Sequence, residues 1–124
     1  MNFEHLDVWK RSVKLSCEIY KSTANLKDYG FRDQLTRSAL SVPSNIAEGV
    51  CRESFKEKSR FIDIARASLG EARTQIYIGD EIGYLPKGIS QVWVLETKEL
   101  AAMLTSLKKT VRLCLIGIDL ISSS

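Results

Sequence analysis

The 124-residue sequence is poor in the groups that catalysis and cofactor binding need. It has one histidine, His5, close to the N-terminus. No Cys–His pair or Ser–His–Asp set can be assembled around a single terminal imidazole, so no catalytic residue is expected. The carboxylates lack the inward Glu and Glu-x-x-His pattern of di-iron bundles. The segments "EGVCRES" and "ASLGEA" lack the glycine and lysine spacing that cradles a phosphate. No metal and no cofactor is therefore expected, and the chain reads as a non-enzyme. Cys17, Cys51 and Cys114 are odd in number and widely spaced. They make neither a disulfide framework nor a metal-ligand spacing, and read as small buried apolar side chains. Long hydrophobic runs are absent too. The nearest, "VRLCLIGIDLI", contains Arg112 and Asp119 and falls short of the roughly 18 residues that suggest a membrane span. The start, "MNFEHLDVWKRS", has no basic end followed by an apolar segment. A cytoplasmic chain without membrane contact is the expectation. Only two prolines and seven glycines stand against 44% hydrophobic and 27% charged residues, which excludes fibrous and disordered classes and indicates one globular domain over 1–124.

What the sequence does have is helical periodicity, four times over. From Asp7 to Leu26, the residues Leu6, Trp9, Val13, Cys17, Tyr20 and Ala24 form one stripe at about 100° per residue. A second stripe, Val8, Ser12, Leu15, Ile19, Ser22 and Leu26, runs down the far side. From Phe31 to Glu48, the face Phe31, Leu35, Ala39, Val42, Ile46 and Val50 continues without loss of phase across Pro43. A proline inside a helix costs about 3 kcal/mol. The unbroken phase favours one helix kinked at Pro43 over a helix that restarts behind it with Asn45 and Glu48 as caps. The third helix opens on a capping box, Ser54 with Glu57. Its inner face is mostly small: Phe61, Ala65, Ser68, Leu69, Ala72, Ile76, Gly79 and Gly83. The segment "GYLPKG" closes it. The fourth helix spans Ile89 to Leu120, with a seam of Ile89, Trp93, Glu96, Leu100, Met103, Leu107, Thr110, Cys114 and Ile118. Beyond Val111 its apolar residues, Leu113, Leu115, Ile116 and Leu120 among them, spread around the helix. The predicted fold is all-α, an up-down-up-down four-helix bundle.

Two polar features are candidate sites. Asn45 and Glu71 flank the inner faces of helices two and three. Pro43 leaves the Ala39 carbonyl without its usual donor, and a nearby Asn or Ser side chain can repair that. Glu71 would then pair with an arginine or accept from Asn45, so Pro43, Asn45 and Glu71 read mainly as a structural set. The second feature is a basic ridge: Lys10, Arg11, Lys14 and Lys21 on helix one with Lys108, Lys109 and Arg112 on helix four. The net charge is only +3, but the first and last helical segments each carry five cations against three carboxylates. Such a ridge serves either as a solvated face or as a set of phosphate contacts to RNA or DNA. It has no interleaved aromatic residue to suggest stacking.

The segments "FEHLDVWKRS", "RSALSVPSNIAEG" and "FIDIARASLGEARTQIYIGDEIGYL" resemble the bacterial four-helix-bundle family of 23S rRNA intervening-sequence proteins. The match covers residues 3 to 85 in motif and the remainder in helix pattern. The family also looks related to the accessory variability protein of diversity-generating retroelements. The resemblance implies a four-helix bundle that assembles as a homopentamer and has no enzymatic activity. The surplus of apolar residues also points to self-association. Val8, Leu15, Ile19 and Leu26 are the expected contacts between copies, together with the apolar end of helix four. Expected partners are a second copy of the chain and RNA, DNA or a ribonucleoprotein. The alternative is a protein-interaction scaffold with no nucleic-acid role.

Overall fold

The structure, a computed structural model, describes residues 2–115. One turn of 3-10 helix at Phe3–His5 leads into four helices: α1 (Asp7–Thr23), α2 (Tyr29–Val50), α3 (Phe55–Glu81) and α4 (Lys87–Leu115). No strand occurs among the described residues. The fold is an all-α four-helix bundle. Each helix packs on the next in sequence, α4 closes back on α1, and the diagonal pairs make no close backbone approach. Rising numbers on one helix meet falling numbers on its neighbour. Ser38 and Ser41 of α2 meet Glu71 and Ser68 of α3. Asp63 and Arg73 of α3 meet Lys108 and Thr97 of α4. Arg11 and Glu18 of α1 meet Glu96 and Trp93 of α4.

The helix ends follow local chemistry. Asp28 caps α2, its Oδ1 accepting from the Phe31 amide at 3.1 Å. Its Oδ2 accepts from the Tyr84 hydroxyl at 2.9 Å, so one carboxylate ties the start of α2 to the turn behind α3. That hydrogen bond pushes the Tyr84 hydroxyl up from its usual range, because ionising it would lose the donor. Ser54 caps α3 by accepting from the Glu57 amide at 3.2 Å. Only half of the expected capping box forms, since the Glu57 carboxylate accepts from Arg60 Nε at 2.9 Å instead of reaching back. Arg60 also holds the Glu57 carboxyl below its usual range. The turn behind α3 uses Gly83 at φ +80°, a left-handed conformation that suits glycine.

The small inner face of α3 receives bulk from its neighbours. A Cβ on Gly79 would lie 2.9 Å from Phe31 Cζ of α2 and 2.9 Å from Leu85 Cδ1, so both side chains rest on bare backbone. Ala65, Ser68, Leu69, Ala72 and Ile76 are buried on the same face. On α4 the core row is Trp93, Val94, Thr97, Leu100, Leu104, Leu107 and Val111. Of the expected seam, Ile89 and Thr110 are exposed, and Glu96 is committed to Arg11.

α2 is continuous from Tyr29 to Val50 with Pro43 inside it and buried. The expected repair by Asn45 takes a different form. Asn45 Nδ2 donates to the Ser41 carbonyl at 2.8 Å and to Ser41 Oγ at 2.9 Å, and Ser41 Oγ meets Ser68 Oγ at 2.9 Å. Glu71 is exposed and is approached by Ser38 Oγ at 3.5 Å, not by Asn45 or an arginine. Replacing Pro43 by alanine restores a backbone donor and removes a ring clash, worth about 3 kcal/mol in a helix interior. It gives up part of a buried ring, worth about 1–2 kcal/mol at roughly 0.8 kcal/mol per methylene. Pro43→Ala is therefore expected to melt at or above the parent's temperature in a thermal scan. A clearly lower midpoint would show that ring packing outweighs the helix term.

Three expectations are corrected. Val8, Leu15 and Ile19, expected to contact a second copy, are buried inside one chain at 4%, 4% and 0% exposure. The other α1 stripe is the outer one: Cys17, Tyr20 and Ala24 are exposed, and Trp9 and Val13 half-buried. Leu26 lies beyond the end of α1, half-buried in the connection to α2. The cysteines are not buried either: Cys17, Cys51 and Cys114 are exposed. The apolar end of helix four, with Ile116, Ile118 and Leu120, lies outside the described residues.

Candidate nucleic-acid interface

The seven residues of the expected basic ridge are split by the fold. Arg11 faces α4, where its Nε donates to Glu96 Oε2 at 3.0 Å, its Nη2 to Glu96 Oε1, and its Nη2 pairs with Glu99 Oε1 at 3.3 Å. Its Nη1 lies 3.5 Å from Met103 Sδ. The hydrogen bonds to Glu96 raise its pKa further above an already high value, and its charge is balanced within the chain. Lys10, Lys14 and Lys21 are exposed on α1. Lys10 and Lys21 are eleven positions apart, about 16 Å along the helix. Lys21 borders a cleft with Gly88 and Ile89, at the start of α4. Lys108, Lys109 and Arg112 belong to the opposite end of α4. They cannot form one continuous ridge with Lys21.

That opposite end gathers a denser set. The register of α3 against α4 brings residues 108–112 beside the first turns of α3. Lys108 Nζ sits 3.1 Å from both oxygens of Asp63. Lys58 Nζ donates to the Val50 carbonyl at 3.0 Å and so caps the end of α2. Residues 48–66 with 108–112 hold eight cations and four carboxylates, a net of +4. Two aromatic rings lie among them. Arg52 and Arg60 both lie over the Phe61 ring, their Cζ atoms 4.9 and 4.5 Å from its centroid. Arg112 lies over Phe55 at 6.0 Å. Arg52 pairs with Glu48 at 3.1 Å and Arg60 with Glu57 at 2.9 Å. Lys56, Lys109 and Arg112 are exposed and make no ion pair among the described residues.

Reading the helices separately missed Arg52, Lys56 and Arg60, because alternating carboxylates at Glu48, Glu53 and Glu57 mask them in a charge count. The available signal was aromatic residues next to cations in "CRESFKEKSRF". Among the described residues no group of three or more His, Cys, Asp or Glu side chains could hold a metal ion, and His5 is exposed. No helix among them is long and apolar enough to cross a membrane.

A second feature is apolar. Val92 and Leu95 project from α4 at 62% and 61% exposure, the highest of its large apolar side chains. A groove of about 360 Å³ runs beside Leu95 toward α3, lined by Ile76, Tyr77, Asp80, Ser90, Gln91, Val94 and Leu95. Another of about 380 Å³ runs toward α1, with Ile89, Val92 and Trp93 on its wall.

Residues 4–106 match the family model described as 23S rRNA-intervening sequence protein. No curated protein sequence matches the chain. Among solved structures, a protein of unknown function from the S23 ribosomal protein family of Bacteroides thetaiotaomicron is similar in fold. It superposes with a TM-score of 0.77 at 22% identity, covering 82% of this chain and 98% of that one.

Proposed function

The chain belongs to the 23S rRNA-intervening sequence protein family, and on that premise we propose that it is a non-enzymatic, self-associating bundle that binds nucleic acid through its basic end. The observation that carries the reading is the cluster around the α2–α3 connection. Three exposed cations there, Lys56, Lys109 and Arg112, make no ion pair among the described residues and stand beside arginine-covered aromatic rings. Unpaired surface cations are what phosphate backbones recruit. Lys10, Lys14 and Lys21 are a weaker second set, dispersed along α1. The test is a mobility shift with labelled RNA at about 50 and 200 mM salt. Binding that falls tenfold or more between the two supports the reading. No binding at the lower concentration ends it.

The exposed apolar surface of α4 supports the self-association and equally a protein-interaction role. Val92 and Leu95 each forgo roughly 1.5–3 kcal/mol relative to full burial while they stay in water. A second copy seated there would recover it, and five copies is the number the family resemblance implies. Light scattering is expected to give a multiple of the 14.0 kDa chain mass. Val92→Glu with Leu95→Glu should reduce that mass and leave the helical signal intact. A monomeric parent would remove self-association and leave this surface to a different protein.

A further inference from the structure

We propose that the basic end reads unpaired nucleotides, with bases stacking on the guanidinium groups of Arg52 and Arg60 while Lys56, Lys109 and Arg112 hold the flanking phosphates. This rests on the nucleic-acid reading above and narrows it to single strands. The Arg52 and Arg60 Cζ atoms each lie over the Phe61 ring, 4.9 and 4.5 Å from its centroid. Their edges are engaged by carboxylates, Glu48 for Arg52 and Glu57 for Arg60, at 3.1 and 2.9 Å. A carboxylate takes N–H donors in the guanidinium plane. Bonded through one nitrogen in each case, Arg52 Nη2 and Arg60 Nε, it restrains the group's orientation from its edge and leaves the flat faces of the guanidinium unbonded. The side chains remain 44% and 58% exposed, so both groups are reachable from solvent. A planar, weakly hydrated, delocalised cation is a stacking partner for a nucleobase. Single strands can turn base faces toward it. In a duplex those faces are already stacked, and only phosphates and groove edges remain. The half-buried Phe61 beneath gives the arginines a rigid support, which limits the side-chain entropy lost when a base arrives.

The test uses fluorescence anisotropy on the full chain with three labelled probes of about 15 nucleotides, within the range of single-strand site sizes. They are an intact single strand, the same strand with a run of abasic residues in its middle, and the matching duplex. The abasic strand keeps every phosphate and removes only bases. The parent is expected to bind the intact strand about tenfold or more tightly than the abasic one. Arg52→Lys with Arg60→Lys keeps both charges and removes both planes. It should lose that advantage on the intact strand and bind the abasic strand and the duplex as the parent does. Equal binding of intact and abasic strands by the parent would overturn the inference and leave the phosphate reading standing. So would a double variant that retains the full advantage. If no probe binds at low salt, the nucleic-acid reading has failed, and the inference with it.

Discussion

Replacing Leu15 and Ile19 together by glutamate is expected to abolish the folded bundle. Both side chains are buried within one chain, at 4% and 0% exposure, in the same core as Leu35, Ile46, Leu100 and Leu104. Each substitution forfeits roughly 1.5–3 kcal/mol of apolar burial. Each also buries a carboxylate, at several kcal/mol more; Arg11, which lines the same cleft as Leu15, is already held by Glu96 and Glu99. Two such changes exceed the roughly 5–15 kcal/mol that holds a domain of this kind together. Circular dichroism should show the helical signal lost at neutral pH. Burial raises the pKa of such a carboxyl above its ordinary value, so the penalty falls as pH drops and the neutral acid forms. Acidification should therefore restore part of the signal. A double variant that keeps its helical signal at neutral pH and changes only in mass would show that this α1 stripe faces another subunit and not the core.

The second large effect concerns charge at the basic end. Lys56→Glu, Lys109→Glu and Arg112→Glu together turn a net of +4 over residues 48–66 and 108–112 into −2. All three side chains are exposed, so the fold should hold within a fraction of a kcal/mol per site, apart from the contact of Arg112 with Phe55 at 6.0 Å. Binding to single-stranded RNA should fall a hundredfold or more at low salt. The slope of log affinity against log salt should shrink by about two, since each single-strand phosphate contact contributes about 0.7. Lys10→Glu, Lys14→Glu and Lys21→Glu make the same change of charge on α1, where the cations are dispersed along the helix. This set should cost less. A larger loss from the α1 set would place the contact surface on α1.

Much of the fold was legible because helical periodicity is a property of one segment at a time. The phase from Phe31 to Val50 ran through Pro43 undisturbed, and α2 is one helix. The inner face of α3 read as mostly small, and there Phe31 and Leu85 rest on Gly79. Ser54 identified the start of α3 to the residue. The candidate site was much less legible. Arg11 looked like a member of a basic ridge because its partners, Glu96 and Glu99, are more than eighty residues away in the chain. Arg52 and Arg60 stand in a mixed-charge run, and nothing local says that both lie over Phe61.

By itself the sequence determined the number of helices, their approximate ends, and the family through the run Arg37 to Gly49. What only the tertiary structure decided was which way each helix faces. α1 carries two apolar stripes, and the one with Trp9 and Tyr20 reads as the more hydrophobic. Yet the core took Val8, Ser12, Leu15 and Ile19. The serine costs little there because its hydroxyl donates to the Trp9 carbonyl at 2.9 Å, within its own helix. Thr23 does the same, its Oγ1 donating to the Ile19 carbonyl at 2.7 Å. Periodicity fixes the angle between two stripes on a helix but not which one meets a neighbour. That choice depends on the shape of the surface across the interface and on charge pairs such as Arg11 with Glu96. Both arise only once residues distant in the chain are brought together.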